Sequence, residues 1–231
     1  MEPRIRDLDG VFALLDALVA PVGGDWWDRF YADRSRQVPF FVDKPDEHLA
    51  AAVEQGVVRP GRALDLGCGP GRNALHLAAA GFAVDAVDLS ATAVAWAREQ
   101  AAAAALDVGW LVGDAFTADL PGPYDLVVDS GCFHHLPPHR RVDHLQFLDR
   151  VLAPGGVVCL TCFTPEGGIA VPDVEVYRAG RRTGGIGFTA ADLRWIFAGY
   201  EELALRPMVA QAPDSPLFGE SFLWAVLLRR G

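Results

Sequence analysis

"RALDLGCGPGRNALHLAAAG", residues 62–81, decides how the rest of the chain is read. An apolar run, Ala63–Leu66, ends at Gly67; Gly69 and Gly71 follow, and apolar residues then recur at helical spacing until Gly81. A strand, a glycine-rich turn and a helix start form a ligand cradle, because glycine has no Cβ to keep backbone N–H groups away from a bound molecule. The spacing is G-x-G-x-G. A dinucleotide cradle is G-x-G-x-x-G, and Arg72 stands where its third glycine belongs.

Outward from this turn the chain alternates. "FAVDAVDLS" (82–90) reads as a strand, and Ser90 caps a helix over 91–106. "DVGWLVGDAF" (107–116) and "YDLVVDSG" (124–131) are two more strands, a helix covers 137–156 up to a Pro-Gly-Gly stop, and "VVCLTCF" (157–163) is a fifth strand. Alternation of this kind makes βαβ units and a mainly parallel sheet covered on both faces. Thr189 caps a helix over 189–200, and 201–209 and 220–230 form an antiparallel hairpin at the sheet edge. Residues 164–187, rich in Gly and Pro, read as a long connection with little regular structure. Helical patterns over 8–20, 24–35 and 44–56 precede the first strand, so residues 1–56 are expected to be a helical cap on the domain formed by 57–231. The fold class is therefore α/β: a doubly wound, Rossmann-like, mainly parallel sheet of seven strands.

"LDLGCGPGRNA", "VDAVDLS", "VGDAF", "VVDSGCFHHL" and "LAPGG" occur in this order. Together they resemble the motifs of class I S-adenosylmethionine-dependent methyltransferases. The resemblance implies S-adenosyl-L-methionine as cofactor. It implies that Asp65, Gly67, Cys68, Gly69 and Gly71 hold its methionine part. An acidic residue at the end of the second strand, about 20 positions after the glycine turn, takes ribose hydroxyls in this topology, and Asp88 stands there. Leu89 is then expected beside the adenine, with Asp114 accepting from its amino group and Ala115 following. Asp129, at the end of the fourth strand, is expected to face the cofactor, since ligands sit beyond the carboxyl ends of strands.

Methyl transfer needs alignment and exclusion of water, and a base only where the nucleophile carries a proton of high pKa. His134 and His135 stand where such a base belongs and are the catalytic candidates. Phe133 lies in the same loop and is expected at the substrate. Cys132 reads as a small buried side chain. A metal site through His135, His139 and His144 is not expected, because His139 and His144 are poorly spaced to share a helix face and no cysteine or carboxylate falls at zinc spacing. The aromatic segment "WWDRFYADRSRQVPFF" (26–41) resembles the cap of small-molecule methyltransferases, including the thiopurine and tellurite-resistance branches. That analogy offers Trp26, Tyr31 and Phe41 as substrate contacts. Arg34, Arg36, Arg178, Arg181 and Arg182 read as solvated charges before they read as contacts to an anionic substrate.

The formal net charge of −10 argues against nucleic acid or an anionic membrane surface as partner. No run of about 18 apolar residues suggests a membrane span, and the start lacks a leader pattern. Four cysteines are too few for a disulfide framework, and Cys159 and Cys162 fall in one apolar strand. A cytoplasmic monomer or homodimer acting on a small molecule is the expectation. Two other readings stay open. A nicotinamide-dependent dehydrogenase would use a similar sheet, though Tyr177 is followed four positions on by Arg181 and not by lysine. A non-catalytic S-adenosylmethionine-binding module would carry an identical cradle.

Overall fold

A computed structural model describes residues 4–180 and 184–231. Arg181 and Arg182 thus lie outside the described residues. Three helices precede the first strand: α1 (Leu8–Leu18), α2 (Gly24–Ala32) and α3 (Glu47–Glu54). Then follow β1 (Arg62–Leu66), α4 (Arg72–Ala79), β2 (Ala83–Asp88), α5 (Ala91–Ala104), β3 (Gly109–Val112) and β4 (Tyr124–Ser130). A 3-10 turn (Phe133–His135) leads to α6 (Arg140–Val151) and β5 (Leu152–Phe163), and the chain ends with α7 (Asp173–Ala179), α8 (Ala190–Ile196), β6 (Tyr200–Pro207) and β7 (Leu223–Arg230).

The seven strands form one sheet in the order β3-β2-β1-β4-β5-β7-β6. The first five run parallel, and β7 pairs antiparallel with both β5 and β6. The order reverses direction between β1 and β4, and the crevice that this opens at the strands' carboxyl ends is where doubly wound sheets bind ligands. Both faces are covered. Phe147, Leu148 and Val151 of α6 pack on one, and Leu49, Ala74, Leu77 and Val94 of α3, α4 and α5 on the other. Burying the central strands on both faces explains why they read as continuous apolar runs and not as alternation.

The caps are those the sequence offers. Ser90 Oγ accepts from Ala93 N–H at 3.0 Å, and Thr189 forms a capping box with Asp192. Two expectations change. The "LAPGG" segment does not end a helix but opens β5: Pro154 cannot continue α6, Gly155 takes a positive φ of 74°, and the register with β4 shifts between Tyr124 and Leu126. The 164–187 connection holds α7, which buries Val176 and ends at Gly180 in the left-handed region. Pro172 before two first-turn acids and glycine after the last turn are its sequence signals, and seven residues are too few to show an apolar helical period.

Among the described residues, no helix is long and apolar enough to cross a membrane.

Candidate active site

The glycine turn is built to be close-fitting. Gly67, Gly69 and Gly71 have φ of +67°, +52° and +89°. A Cβ on Gly67 would sit 3.0 Å from Cys132 Cβ, and one on Gly71 2.7 Å from the Trp110 ring. Gly67 and Cys68 donate their N–H groups to Val87 O at 2.8 and 3.0 Å, which docks the turn against the end of β2. Glycine is required here both by backbone conformation and by space.

Asp88, at the tip of β2, is 8% exposed. Its two carboxylate oxygens accept from Gly69 N–H and Ser90 N–H, each at 2.8 Å. Burial pushes its pKa up, against the two backbone hydrogen bonds. Each oxygen keeps lone-pair capacity for a hydroxyl donor, and the side chain lines a cavity of about 770 Å³. Gly67, Leu89, Asp114 and Ala115 line it too. Asp114 Oδ1 accepts from Phe116 N–H at 2.9 Å, which turns the chain after β3. Of the three turn glycines Gly67 faces the cavity, while Gly69 packs beneath Tyr31 and Gly71 against Trp110; Gly67, a carboxylate at the second strand and an acidic turn at the third fit a nucleoside bearing an amino-acid tail.

Several expected residues stand behind this wall, not on it. Asp65 is 2% exposed and accepts from Ala74 N–H at 2.9 Å, so it caps the start of α4. Burial raises its pKa to about 7, with Arg72 opposing. Cys68 is buried beneath the turn, and burial drives its thiol pKa up. Asp129 is fully buried: Oδ1 accepts from Cys132 and Phe133 N–H groups at 2.9 and 3.1 Å, and Oδ2 lies 2.9 Å from His144 Nε2. It holds the 3-10 turn in place without reaching the cavity. Phe133 packs inward against His144, Phe188 and Phe197. Phe41 turns away to Tyr31 and Trp96, while Phe40 takes the wall position. One-position differences of this kind follow from side-chain direction in irregular backbone, which spacing does not specify.

His134 and His135 both line the cavity. The His134 ring stacks on Phe163 with centroids 3.9 Å apart, and its carbonyl accepts from Ile186 N–H at 2.8 Å. The His135 ring stands edge-on to Trp27 at 5.0 Å. His139 and His144 are engaged elsewhere. The His139 ring bridges Tyr177 Oη and Asp16 at 2.9 and 2.8 Å, and Asp16 also pairs with Arg140, tying α1 to the start of α6. The histidines therefore do not converge.

Trp26 and Tyr31 line the cavity within a larger aromatic set than the sequence suggested: Trp27, Phe30, Phe40, Phe163 and Phe222 join them. Tyr31 is buried over the glycine turn, and burial, then the nearby Asp88, raise its pKa well above the ordinary value. Asp28 of the same helix accepts from Ser90 Oγ and Thr92 N–H at 2.7 and 2.9 Å, clamping α2 onto α5. Arg72 also lines the cavity beside Ser130 and Thr161. Sequence reasoning met Arg72 only as a missing glycine; a cation directly after the third glycine was the available signal.

Comparison with known proteins agrees with this geometry. The family model for a methyltransferase domain matches residues 63–156. The 2-heptyl-1-hydroxyquinolin-4(1H)-one methyltransferase of Mycobacteroides abscessus is 34% identical over 120 residues, 51% of this chain and 52% of that one. The chain thus spans about half the length of that curated relative. An uncharacterized methyltransferase of Schizosaccharomyces pombe is 30% identical over 102 residues, 44% of this chain and 70% of that one. A solved structure describing conversion of a disulfide bond into a thioacetal group during echinomycin biosynthesis is 26% identical, covers 90% of this chain and 91% of that one, and superposes with a TM-score of 0.71. Glycine turn, strand-end carboxylates, sheet order and sequence likeness agree, and the chain belongs to the S-adenosylmethionine-dependent methyltransferases.

Proposed function

We propose that this protein transfers a methyl group from S-adenosylmethionine to a nucleophilic atom of a small, largely apolar aromatic molecule. The observation that carries the reading is one cavity of about 770 Å³ that holds both halves of the reaction. Gly67, Asp88 and Asp114 serve as its donor side and Trp26, Trp27, Phe30, Phe40 and Phe163 as its acceptor side, and His134 and His135 line the same cavity. Flat aromatic walls suit a planar acceptor, since offset and edge-to-face ring contacts add to simple burial.

The donor supplies an electrophilic methyl already activated by its sulfonium. Asp88 binds the ribose hydroxyls, and Gly67 and its neighbours leave room for the tail. The aromatic wall excludes water and orients the acceptor, which is how positioning lowers the barrier of a displacement. Where the acceptor atom carries a proton, His134, which lines the cavity, accepts it at a ring nitrogen. The relative named for a hydroxyquinolinone supports a hydroxylated heteroaromatic as the first acceptor to try. A dehydrogenase reading lacks such support: the Tyr177 hydroxyl is held by His139 and does not line the cavity.

The test is transfer of labelled methyl from S-adenosylmethionine to a panel of phenols, hydroxyquinolinones, aliphatic amines and thiols. Transfer confined to aromatic acceptors is expected. Binding of S-adenosylhomocysteine with no transfer to any acceptor would favour a non-catalytic module, and stabilisation by NAD alone would overturn the donor assignment.

A further inference from the structure

The glycine-rich connection between β5 and α8 takes no part in the reaction proposed above, yet it closes directly behind one wall of the cavity. Two stretches of it, 164–169 and 185–188, pair with each other: Ile169 N–H donates to Gly185 O at 2.9 Å, and Gly187 N–H to Ile169 O at 3.0 Å. The second stretch also pairs with the wall. Ile186 N–H donates to His134 O at 2.8 Å, and Phe188 N–H to Phe163 O at 3.0 Å. Ile186 and Phe188 are buried in the same core cluster as Phe147 and Leu148 of α6, which anchors the stretch.

Gly185 sits where these bonds meet. A Cβ there would lie 2.5 Å from His134 Cδ2, and 2.6 and 2.8 Å from Phe163 Cε2 and Cδ2. The two stacked rings, with 3.9 Å between centroids and 22° between planes, thus rest on one bare backbone position. Unlike Gly67, Gly69 and Gly71, Gly185 has no left-handed φ. Space, not conformation, requires glycine here. Carbon atoms in contact settle at about 3.5–4.0 Å, so a methyl group at this position would displace its neighbours by roughly 1 Å. The backbones around His134, Phe163 and Gly185 are tied together by the hydrogen bonds above, and Asp129 holds the 3-10 turn from its other side. The rings therefore give way before the backbone does, because side-chain torsions are softer than a hydrogen-bonded network. His134 and Phe163 line the cavity, and Gly185 does not.

We propose that Gly185 is a positioning residue for methyl transfer: by offering no side chain it seats the His134 ring on Phe163 and so fixes where a ring nitrogen meets the acceptor. This rests on the role given to His134 above. A proton acceptor works within about 2.6–3.2 Å of the atom that carries the proton, and a misplacement of about 1 Å caused from outside the chemistry costs about 10²-fold in rate. Gly185 acts through His134 and not by contact with either substrate. The connection that reads in the sequence as an irregular loop is, at this one position, part of the device that holds the base.

Turnover of a hydroxylated aromatic acceptor found with labelled methyl, together with calorimetry of S-adenosylhomocysteine, tests this in wild type, Gly185→Ala, His134→Gln and the double variant. Gly185→Ala is expected to lower kcat about 10- to 100-fold while S-adenosylhomocysteine binds within about twofold of wild type. In the His134→Gln background the same substitution is expected to lower kcat no further, because the ring that it displaces is already gone. An equal fall in both backgrounds overturns the proposal. So does Gly185→Ala with the kcat of wild type, or with a loss of donor affinity that matches its loss of kcat. If Gly185→Ala does not fold, Phe163→Leu gives the new methyl room on one side and leaves His134 against it on the other. In that background Gly185→Ala is expected to lower kcat about 10-fold relative to Phe163→Leu alone, and no fall there overturns the proposal. His134→Gln with the turnover of wild type, or no transfer to any acceptor, rejects the reading of His134 or of the reaction itself and the proposal with it, a result distinct from the others.

Discussion

The Tyr31 hydroxyl stands 2.9 Å from the point where Gly69 would carry a Cβ. One residue comes from the helices before the sheet, the other from the turn after its first strand. Their fit makes the aromatic segment and the donor cradle a single surface.

Gly69→Ala is expected to cost about 1–2 kcal/mol from the left-handed backbone alone, and more from the contact with Tyr31. It should lower the melting temperature and weaken S-adenosylhomocysteine binding. Adding Tyr31→Phe should restore part of both losses by removing the hydroxyl. Strict additivity in a double-mutant cycle would show that the two residues do not touch.

Asp88→Ala removes the acceptor for Gly69 and Ser90 N–H groups as well as for the sugar. A loss of about 1–3 kcal/mol in S-adenosylhomocysteine affinity is expected, with a smaller loss for Asp88→Asn, which keeps one acceptor oxygen. Unchanged affinity in calorimetry would remove Asp88 from the ribose site.

Asp65 predicts a pH dependence. Its folded pKa is raised by burial from 3.8 to about 7. The folded chain therefore keeps a proton that the unfolded chain releases, and this group's contribution to stability falls as pH rises from about 4 to 7. Asp65→Asn keeps the cap on Ala74 and has no proton to lose. Its stability relative to wild type should rise across that window by something on the order of 2–4 kcal/mol. Opposing carboxylates such as Asp46 and Glu47, whose pKa values are lowered, cancel in the difference. Parallel unfolding curves from pH 4 to 7 would mean that Asp65 is ionised throughout.

His134→Gln is expected to lower turnover of a protonated acceptor by roughly 10²- to 10⁴-fold while S-adenosylhomocysteine affinity is kept. His135→Gln, at a ring turned edge-on to Trp27, should chiefly raise the acceptor's KM. A parallel fall of turnover and donor affinity in His134→Gln would make that ring structural, through its stack on Phe163.

The sequence by itself determined the strand alternation, the parallel sheet, the terminal antiparallel pair, the glycine turn and the position of Asp88. All of these depend on local period, on glycine and on capping chemistry, which neighbouring residues express without help from distant ones. Only the tertiary structure decided which polar groups face the cavity. Asp65 and Asp129 end strands as a binding carboxylate should, yet both turn to nearby backbone N–H groups, because a buried carboxylate must be satisfied wherever donors are closest. Asp46 and Arg72 are 26 positions apart and carry no shared motif. They meet because the chain before α3 and the loop around Phe218 close over the start of α4. Pairing across such a distance is fixed by packing and charge compensation in three dimensions, which no spacing along the chain encodes.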